Sequence, residues 1–174
     1  MPTQSENLDL KRQLRNAFGR FPTGVAIVTA LDDYGWPVGM TINSLVSISL
    51  TPTLLGWSID HRAASYETFT NASGFAVTVL TETQADLAMR FATPGISKFL
   101  GLDVDYDADA PVIPGGCAWY QCDTSETVPL GDHTLLVGKV RDFDCNALPP
   151  LVFLDSRFQP ARPDFVAPAT RAAA

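Results

Sequence analysis

The chain has 174 residues, of which 46% are hydrophobic and 18% are charged, and its net charge is −7. This composition is typical of a globular domain with a buried core and excludes a disordered chain. Nucleic-acid binding is not favoured either, because contacts to phosphates require clustered Lys and Arg, and basic residues cluster only at Lys11, Arg12 and Arg15.

No apolar run reaches the ~18 residues that span a bilayer, and the first residues, MPTQSENLDLKRQ, contain no apolar signal core. We therefore expect a cytoplasmic protein that does not bind membranes. The spacing of the three cysteines, Cys117, Cys122 and Cys145, matches no zinc pattern. We expect buried free thiols and no metal site.

The first predicted element is a helix, because apolar residues recur at spacings of three and four near the N-terminus. Its apolar face consists of Leu10, Leu14, Ala17, Phe18 and Phe21. Shorter helices are predicted at 62–71 and 83–92. Strand patterns follow at 24–31, 37–50, 53–60, 74–80, 117–125, 134–144 and 151–155. The acidic, Pro- and Gly-rich segment 101–116 is predicted to be a loop.

Many short strands at close spacing, with only three short helices, predict a mainly β fold and a closed or nearly closed β-barrel. There is no GxGxxG motif after a strand, so a Rossmann dinucleotide fold is not expected. Two tryptophans, Trp36 and Trp57, add bulk that would narrow a cofactor or substrate slot.

The segment GMTINSLVSISL at 39–50 is unusually polar for a strand-like run. Its short hydroxyl and amide side chains are Thr41, Asn43, Ser44, Ser47 and Ser49. Such groups donate and accept hydrogen bonds without bulk, so a ligand can approach the backbone closely. Together with the apolar residues between them, they suit a ligand that has both an apolar ring and polar oxygens.

Six segments resemble, in the same order, signatures of the flavin reductase domain family. These proteins are FMN-binding split barrels that serve as reductase components of two-component flavin monooxygenases. The segments are FPTGVAIVTA (21–30), GMTINSLVSISLTP (39–52), SGFAVTVLTETQADLAMRFA (73–92), SKF (97–99), GDHTLLVGKV (131–140) and PPLVFLDSRF (149–158). The resemblance implies a homodimeric, Greek-key-like split β-barrel, with one domain over residues 1–160 and a mobile tail over 161–174.

The resemblance also implies where a flavin would bind. The isoalloxazine ring would lie along the 41–49 strand and contact its five polar residues. The phosphate would be held by Arg62, Ser65 and Thr68, at the start of a predicted helix whose N-terminus favours anions. The SKF motif contributes Lys98, which would also approach the phosphate, and Phe99. Arg157 is the candidate for a ribose phosphate of NADPH.

The GDH triplet at 131–133 implies the nicotinamide side of the site. Hydride transfer to flavin N5 needs no acid or base on the hydride itself, but it needs the two rings stacked in order. His133 is the candidate catalytic residue, because it could hydrogen-bond the nicotinamide amide or orient its ring.

The implied activity is that of an NAD(P)H-dependent flavin reductase, which supplies free FMNH2 or FADH2 to a partner monooxygenase. FMN or FAD, and NADH or NADPH, remain open alternatives. One rival interpretation is a flavin-binding oxidase or oxygenase of the related pyridoxamine-phosphate-oxidase-like barrels. The other is a non-catalytic flavin-binding protein, because its flavin contacts would be the same.

Overall fold

A computed structural model describes residues 4–95, 97–104 and 110–161. In chain order these residues form α1 (Gln4–Phe18), β1 (Thr23–Gly24), β2 (Ala26–Leu31), β3 (Pro37–Ile42), β4 (Val46–Leu50), β5 (Thr53–Asp60), α2 (Tyr66–Asn71), β6 (Gly74–Val79), a 3₁₀ turn (Glu82–Gln84), α3 (Ala85–Ala92), β7 (Ala118–Leu130), β8 (His133–Cys145), β9 (Leu151–Leu154) and β10 (Arg157–Pro160). The prediction of a mainly β fold with short helices is confirmed. None of the helices in these ranges is long and apolar enough to cross a membrane.

The strands form two antiparallel sheets. A seven-stranded sheet has the order β3-β2-β6-β7-β8-β5-β4, and a three-stranded sheet has the order β1-β9-β10. The edge strands of the larger sheet, β3 and β4, are not paired with each other in the described part of the chain, so the sheet stays open. This open arrangement is consistent with the predicted split barrel rather than with a fully closed barrel.

The hairpin of β7 and β8 is the longest element of the sheet and runs through the GDHTLLVGKV segment. Its turn uses Gly131, whose φ of 65° lies in the left-handed region that glycine adopts without strain. Register shifts at Gln121/Cys122 and Thr124/Glu126 interrupt the ladder, and such bulges bend a strand and increase its twist. The bent hairpin pairs with β6 on one side and β5 on the other.

Two apolar clusters fill the interior. In the first, Trp57 is fully buried and packs edge-to-face against Phe69 and Phe75, with ring centroids 5.0 and 5.8 Å apart. The second cluster, which includes Ile27 and Phe91, lies where α3 covers the sheet. Because Trp57 is a core residue, the expectation that it narrows a cofactor slot is wrong.

Several boundaries differ from the sequence prediction. The predicted strand 37–50 is interrupted at residues 43–45, and the helix predicted at 62–71 begins only at Tyr66. Strand β10 was not predicted. Cys117 and Cys122 are buried free thiols as expected, but Cys145 is exposed. Of the proposed tail, residues 162–174 lie outside the described residues.

Candidate functional site

A cleft of about 840 Å³ opens between four segments of the chain. Its walls come from the β2–β3 turn, the start of β3, the start of α2 and the segment that follows α3. Its polar lining consists of Asp32, Ser65, Thr68, Ser97 and Lys98, and its apolar lining includes Trp36, Pro37, Phe99 and Leu100. This size and mixture suit a cofactor-sized organic ligand, for which sites of roughly 300–1,000 Å³ are usual.

Close packing of β3 against two phenylalanines shapes the floor of the cleft. Phe91 and Phe99 meet edge-to-face with ring centroids 5.1 Å apart. A Cβ atom on Gly39 would lie 2.7 Å from Cε1 of Phe91 and 3.1 Å from Cζ of Phe99. Glycine at this position therefore lets the two rings lie directly on the strand.

The segment after α3 is held in place by Arg90. One nitrogen of its guanidinium, Nη2, donates to the carbonyl oxygens of Ser97 and Leu100, at 2.7 and 2.5 Å. These two bonds fix the first residue of the SKF motif and the residue that follows the motif. The wall that carries Lys98 and Phe99 is therefore ordered before any ligand binds.

Lys98 is the basic group of the cleft. Its Nζ donates to the carbonyl oxygens of Gly39 and Phe91, at 3.1 and 2.8 Å. Partial burial lowers the pKa of Lys98 below the ordinary lysine value of 10.5. An ammonium group has three donors, so one N–H remains for a ligand, and this charge could hold a phosphate.

Three hydroxyls of the polar segment 41–49 form hydrogen bonds within the protein. Thr41 Oγ1 donates to the carbonyl of Ala88 at 2.6 Å. Ser44 Oγ donates to the carbonyl of Ser58 and accepts from its N–H, at 3.3 and 3.0 Å. Ser49 Oγ accepts from the N–H of the residue two positions later, at 3.2 Å. The first two bonds fix β3 to α3 and the β3–β4 connection to β5.

Of the other predicted flavin contacts, Asn43 and Ser47 are exposed. Ser65 and Thr68 line the cleft with Lys98 and Phe99. Helix α2 has only six residues, and the Ser65 side chain does not cap it. The structure thus brings four of the predicted residues, Ser65, Thr68, Lys98 and Phe99, into one cleft. The polar segment 41–49 follows the part of β3 that lines this cleft.

Arg62 and His133 lie together at the end of β5. Asp60 is the cross-strand partner of His133, and its two carboxylate oxygens accept from Nε and Nη2 of Arg62, at 3.1 and 2.7 Å. The hydrogen bonds from Arg62 hold the pKa of Asp60 far below its usual range. A ligand phosphate at Arg62 would therefore compete with Asp60.

His133 is oriented by its neighbour in sequence. Its Nδ1 lies 2.7 Å from Oδ1 of Asp132, and this hydrogen bond lowers the pKa of Asp132. In the tautomer that donates from Nδ1, Nε2 is left to accept a hydrogen bond from a ligand. That arrangement fits recognition of an amide N–H.

Sequence reasoning missed a buried polar contact behind His133. The hydroxyl of Thr134, which is 1% exposed, lies 3.1 Å from Nε2 of His61 and 2.9 Å from the hydroxyl of Tyr66. These contacts fix the start of α2 against β8. The one sequence signal for these contacts was Thr134 itself, a polar residue within an otherwise apolar strand pattern. Arg157 lies apart from this region, on β10 of the smaller sheet.

The comparisons with known proteins agree on one family. The family model described as "Flavin reductase like domain" matches residues 18–162. The reductase component of a flavin-dependent trigonelline monooxygenase from Acinetobacter baylyi is 44% identical over 133 residues, which are 76% of this chain and 43% of that protein. This chain thus spans less than half the length of that relative. SmoA of Agrobacterium fabrum, named an FMN reductase (NADH), is 42% identical over 74% of each chain.

Solved structures show the same similarity in three dimensions. SgcE6 of Streptomyces globisporus, an NADH:FAD oxidoreductase solved with NAD and FAD fragments, superposes with a TM-score of 0.82 at 34% identity. That match covers 88% of this chain and 94% of SgcE6. A homologue of nitrilotriacetate monooxygenase component B from Mycobacterium thermoresistibile has a TM-score of 0.85 at 28% identity, over 95% and 94% of the two chains.

Proposed function

Because the chain belongs to the flavin reductase like domain family, we propose that it is an NAD(P)H:flavin oxidoreductase that supplies reduced flavin to a partner monooxygenase. The observation that carries this proposal is the cleft, which Lys98 lines together with aromatic and aliphatic side chains of the matched region. SmoA and SgcE6 are named for this chemistry, with NADH and with FMN or FAD. The flavin supplies an electrophilic N5 that accepts a hydride from NAD(P)H.

In this proposal the cleft holds the phosphate end of the flavin. Lys98 provides the charge, and the hydroxyls of Ser65 and Thr68, which line the same cleft, provide further donors. Arg62 contributes only if its guanidinium leaves the carboxylate of Asp60 and binds the flavin phosphate instead. Phe99 closes the apolar side. Arg157 on β10 would bind the ribose phosphate of NADPH.

The isoalloxazine ring would lie along residues 41–49. Asn43 and Ser47, which are exposed, are the side chains of this segment that can reach a ligand directly. The hydroxyls of Thr41, Ser44 and Ser49 would act mainly by fixing the backbone, whose N–H and C=O groups then face the ring. Preorganised backbone groups bind a planar polar edge without reordering on binding.

His133 would act on the nicotinamide. The hydrogen bond that His133 Nδ1 donates to Asp132 sets the direction of the imidazole, so Nε2 is available to the carboxamide of NAD(P)H. The chain's contribution to the hydride step is then positional: it stacks the donor ring over the acceptor ring and excludes alternative orientations.

Two exposed apolar surfaces support a homodimer. Every residue of α1 from Leu8 to Phe18 is exposed, although an isolated helix of this length is marginal in water. The edge strand β4 also exposes Val46, Ile48 and Leu50, and an open apolar edge invites pairing with another chain. We propose that a second copy covers these surfaces and completes the flavin site at the interface.

We also propose that the chain forms a single flavin reductase-like domain and that the protein is cytoplasmic. The family match over 18–162 supports one flavin reductase-like domain over residues 1–160. The free thiols of Cys117 and Cys122 are compatible with a cytoplasmic protein, since disulfides are rare in that compartment.

The decisive experiment measures oxidation of NADH and of NADPH by the purified protein, followed by nicotinamide absorbance, with FMN, FAD or riboflavin added. We expect consumption only when a flavin is added, with free reduced flavin as the product. A folded protein that binds flavin but oxidises neither nucleotide would be a non-catalytic flavin binder. A protein that binds no flavin would overturn the proposal completely.

A further inference from the structure

The cleft that Lys98 lines also contains an aromatic side chain that the flavin and nicotinamide contacts proposed above do not use. Trp36 lines this cleft and is 70% exposed. An indole that stays exposed to water is unfavourable, because its large apolar faces remain hydrated instead of being buried. A side chain of this kind on the wall of a ligand cleft is a ready surface for a flat aromatic ring.

The turn that carries Trp36 is rigid. The N–H of Asp32 donates to the carbonyl of Trp36, and the N–H of Gly35 donates to the carbonyl of Asp32, both at 2.9 Å. Oδ1 of Asp32 also accepts from the N–H groups of Tyr34 and Trp36, at 2.9 and 2.8 Å. The backbone beneath the indole is therefore ordered in advance, which reduces the entropy lost when a ring stacks on it.

The cleft carries two opposite charges. Lys98 lines it, and so does Asp32, which is hydrogen-bonded to Trp36 within the turn. Oδ1 of Asp32 is occupied by the turn, while a carboxylate has further lone pairs on Oδ2 for a donor. The cleft thus suits a ligand with a phosphate at one end and a flat ring with an amino edge at the other.

We propose that Trp36 is the stacking platform for the adenine ring of FAD, so that this chain binds FAD in preference to FMN. The adenine amino group faces Asp32, and the diphosphate lies on the side of Lys98. FMN shares the phosphate end but lacks the ring that Trp36 recognises. This inference rests on the proposed flavin reductase function.

Calorimetric titration of the full chain with FAD and with FMN, without nicotinamide, tests the proposal. Trp36→Ala is expected to weaken FAD binding by about 5- to 100-fold, the range produced by losing one base–aromatic stack, and to leave FMN binding unchanged. Trp36→Phe should retain most of the FAD affinity. The matched control is Tyr34→Ala, since Tyr34 lies in the same turn and is 87% exposed but lies outside the cleft.

The other outcomes overturn the inference in distinguishable ways. An equal loss for FMN and FAD would place Trp36 over the part that both flavins share. Unchanged FAD binding, with weaker NADH binding in a separate titration of the same variant, would assign the indole to the nicotinamide cofactor. Both results leave the proposed reductase function standing. Binding of neither flavin by the wild-type chain would overturn the reductase function together with this inference.

Discussion

Lys98 bonds to two backbone carbonyls and also lines the cleft, so its variants can separate a structural role from the proposed phosphate-binding role. Lys98→Met leaves the carbonyls of Gly39 and Phe91 without this donor, which should cost about 1–3 kcal/mol in the free energy of unfolding. Loss of a charge-assisted bond to phosphate should weaken FMN binding by roughly ten- to one-hundredfold. Riboflavin, which has no phosphate, should bind as before. Titration with both flavins measures the difference.

The control for this variant is Lys139→Met, which removes the same charge from an exposed position on β8. It should change neither affinity. The wild-type protein should also lose FMN affinity as the pH rises through the pKa of Lys98. Because burial lowers this pKa, the loss should come below the ordinary lysine value of 10.5. Equal losses of FMN and riboflavin in Lys98→Met would assign Lys98 to structure alone.

The proposed role of His133 in positioning the nicotinamide can be tested by substitution. If its Nε2 orients the nicotinamide, His133→Asn should slow flavin reduction by up to roughly tenfold, the effect of losing one neutral hydrogen bond of about 0.5–1.5 kcal/mol. His133→Ala should reach or exceed that limit, while flavin affinity stays nearly constant. Stopped-flow reduction at saturating flavin gives the rate, and fluorescence quenching gives the affinity.

His61→Asn is the matched control, because His61 is the other of the two histidines and contacts Thr134 instead. It should alter stability more than the rate of hydride transfer. An unchanged reduction rate in His133→Ala would make the Asp132–His133 pair a feature of the hairpin turn. A collapse of flavin affinity with normal reduction would move His133 to the flavin side of the site.

At the scale of elements, the sequence predicted most strands because their apolar, β-branched runs end at Gly, Pro or Asp. The strand predicted at 53–60 has these bounds in the structure. β10 was missed because its hairpin turn has no Asn-Gly or Gly-Gly signal. Asp155 and Ser156 adopt φ values of 50° and 61° there, and Arg20 pairs with the Asp155 carboxylate at 3.1 Å.

The site was only partly predictable for a similar reason. Sequence pattern identifies hydroxyls on a strand, but it does not say whether each one meets a ligand or a backbone carbonyl. Thr41 and Ser44 bond to residues 47 and 14 positions away, so their partners depend on the tertiary fold. The cleft likewise combines segments near residues 32–39, 64–68 and 94–102, which only the fold brings together.

At the scale of the whole molecule, the described chain leaves a helix without a packing partner. The exposed apolar side chains of α1 include Leu10, Leu14 and Phe18, at 54%, 46% and 73%. Burying an apolar side chain contributes about 1.5–3 kcal/mol, so pairing this stripe across a two-fold axis would stabilise both copies.

In sedimentation velocity, the wild-type protein should form a particle of about twice 18.8 kDa. The double variant Leu14→Glu/Phe18→Glu should dissociate this dimer into monomers. Arg12→Glu, on the charged side of α1 beside Asp9, makes the same change in net charge and should leave the dimer intact. If the second copy completes the flavin site, the double variant should also lose flavin affinity in step with its dissociation. A wild-type monomer that binds flavin normally would show that one chain forms the whole site.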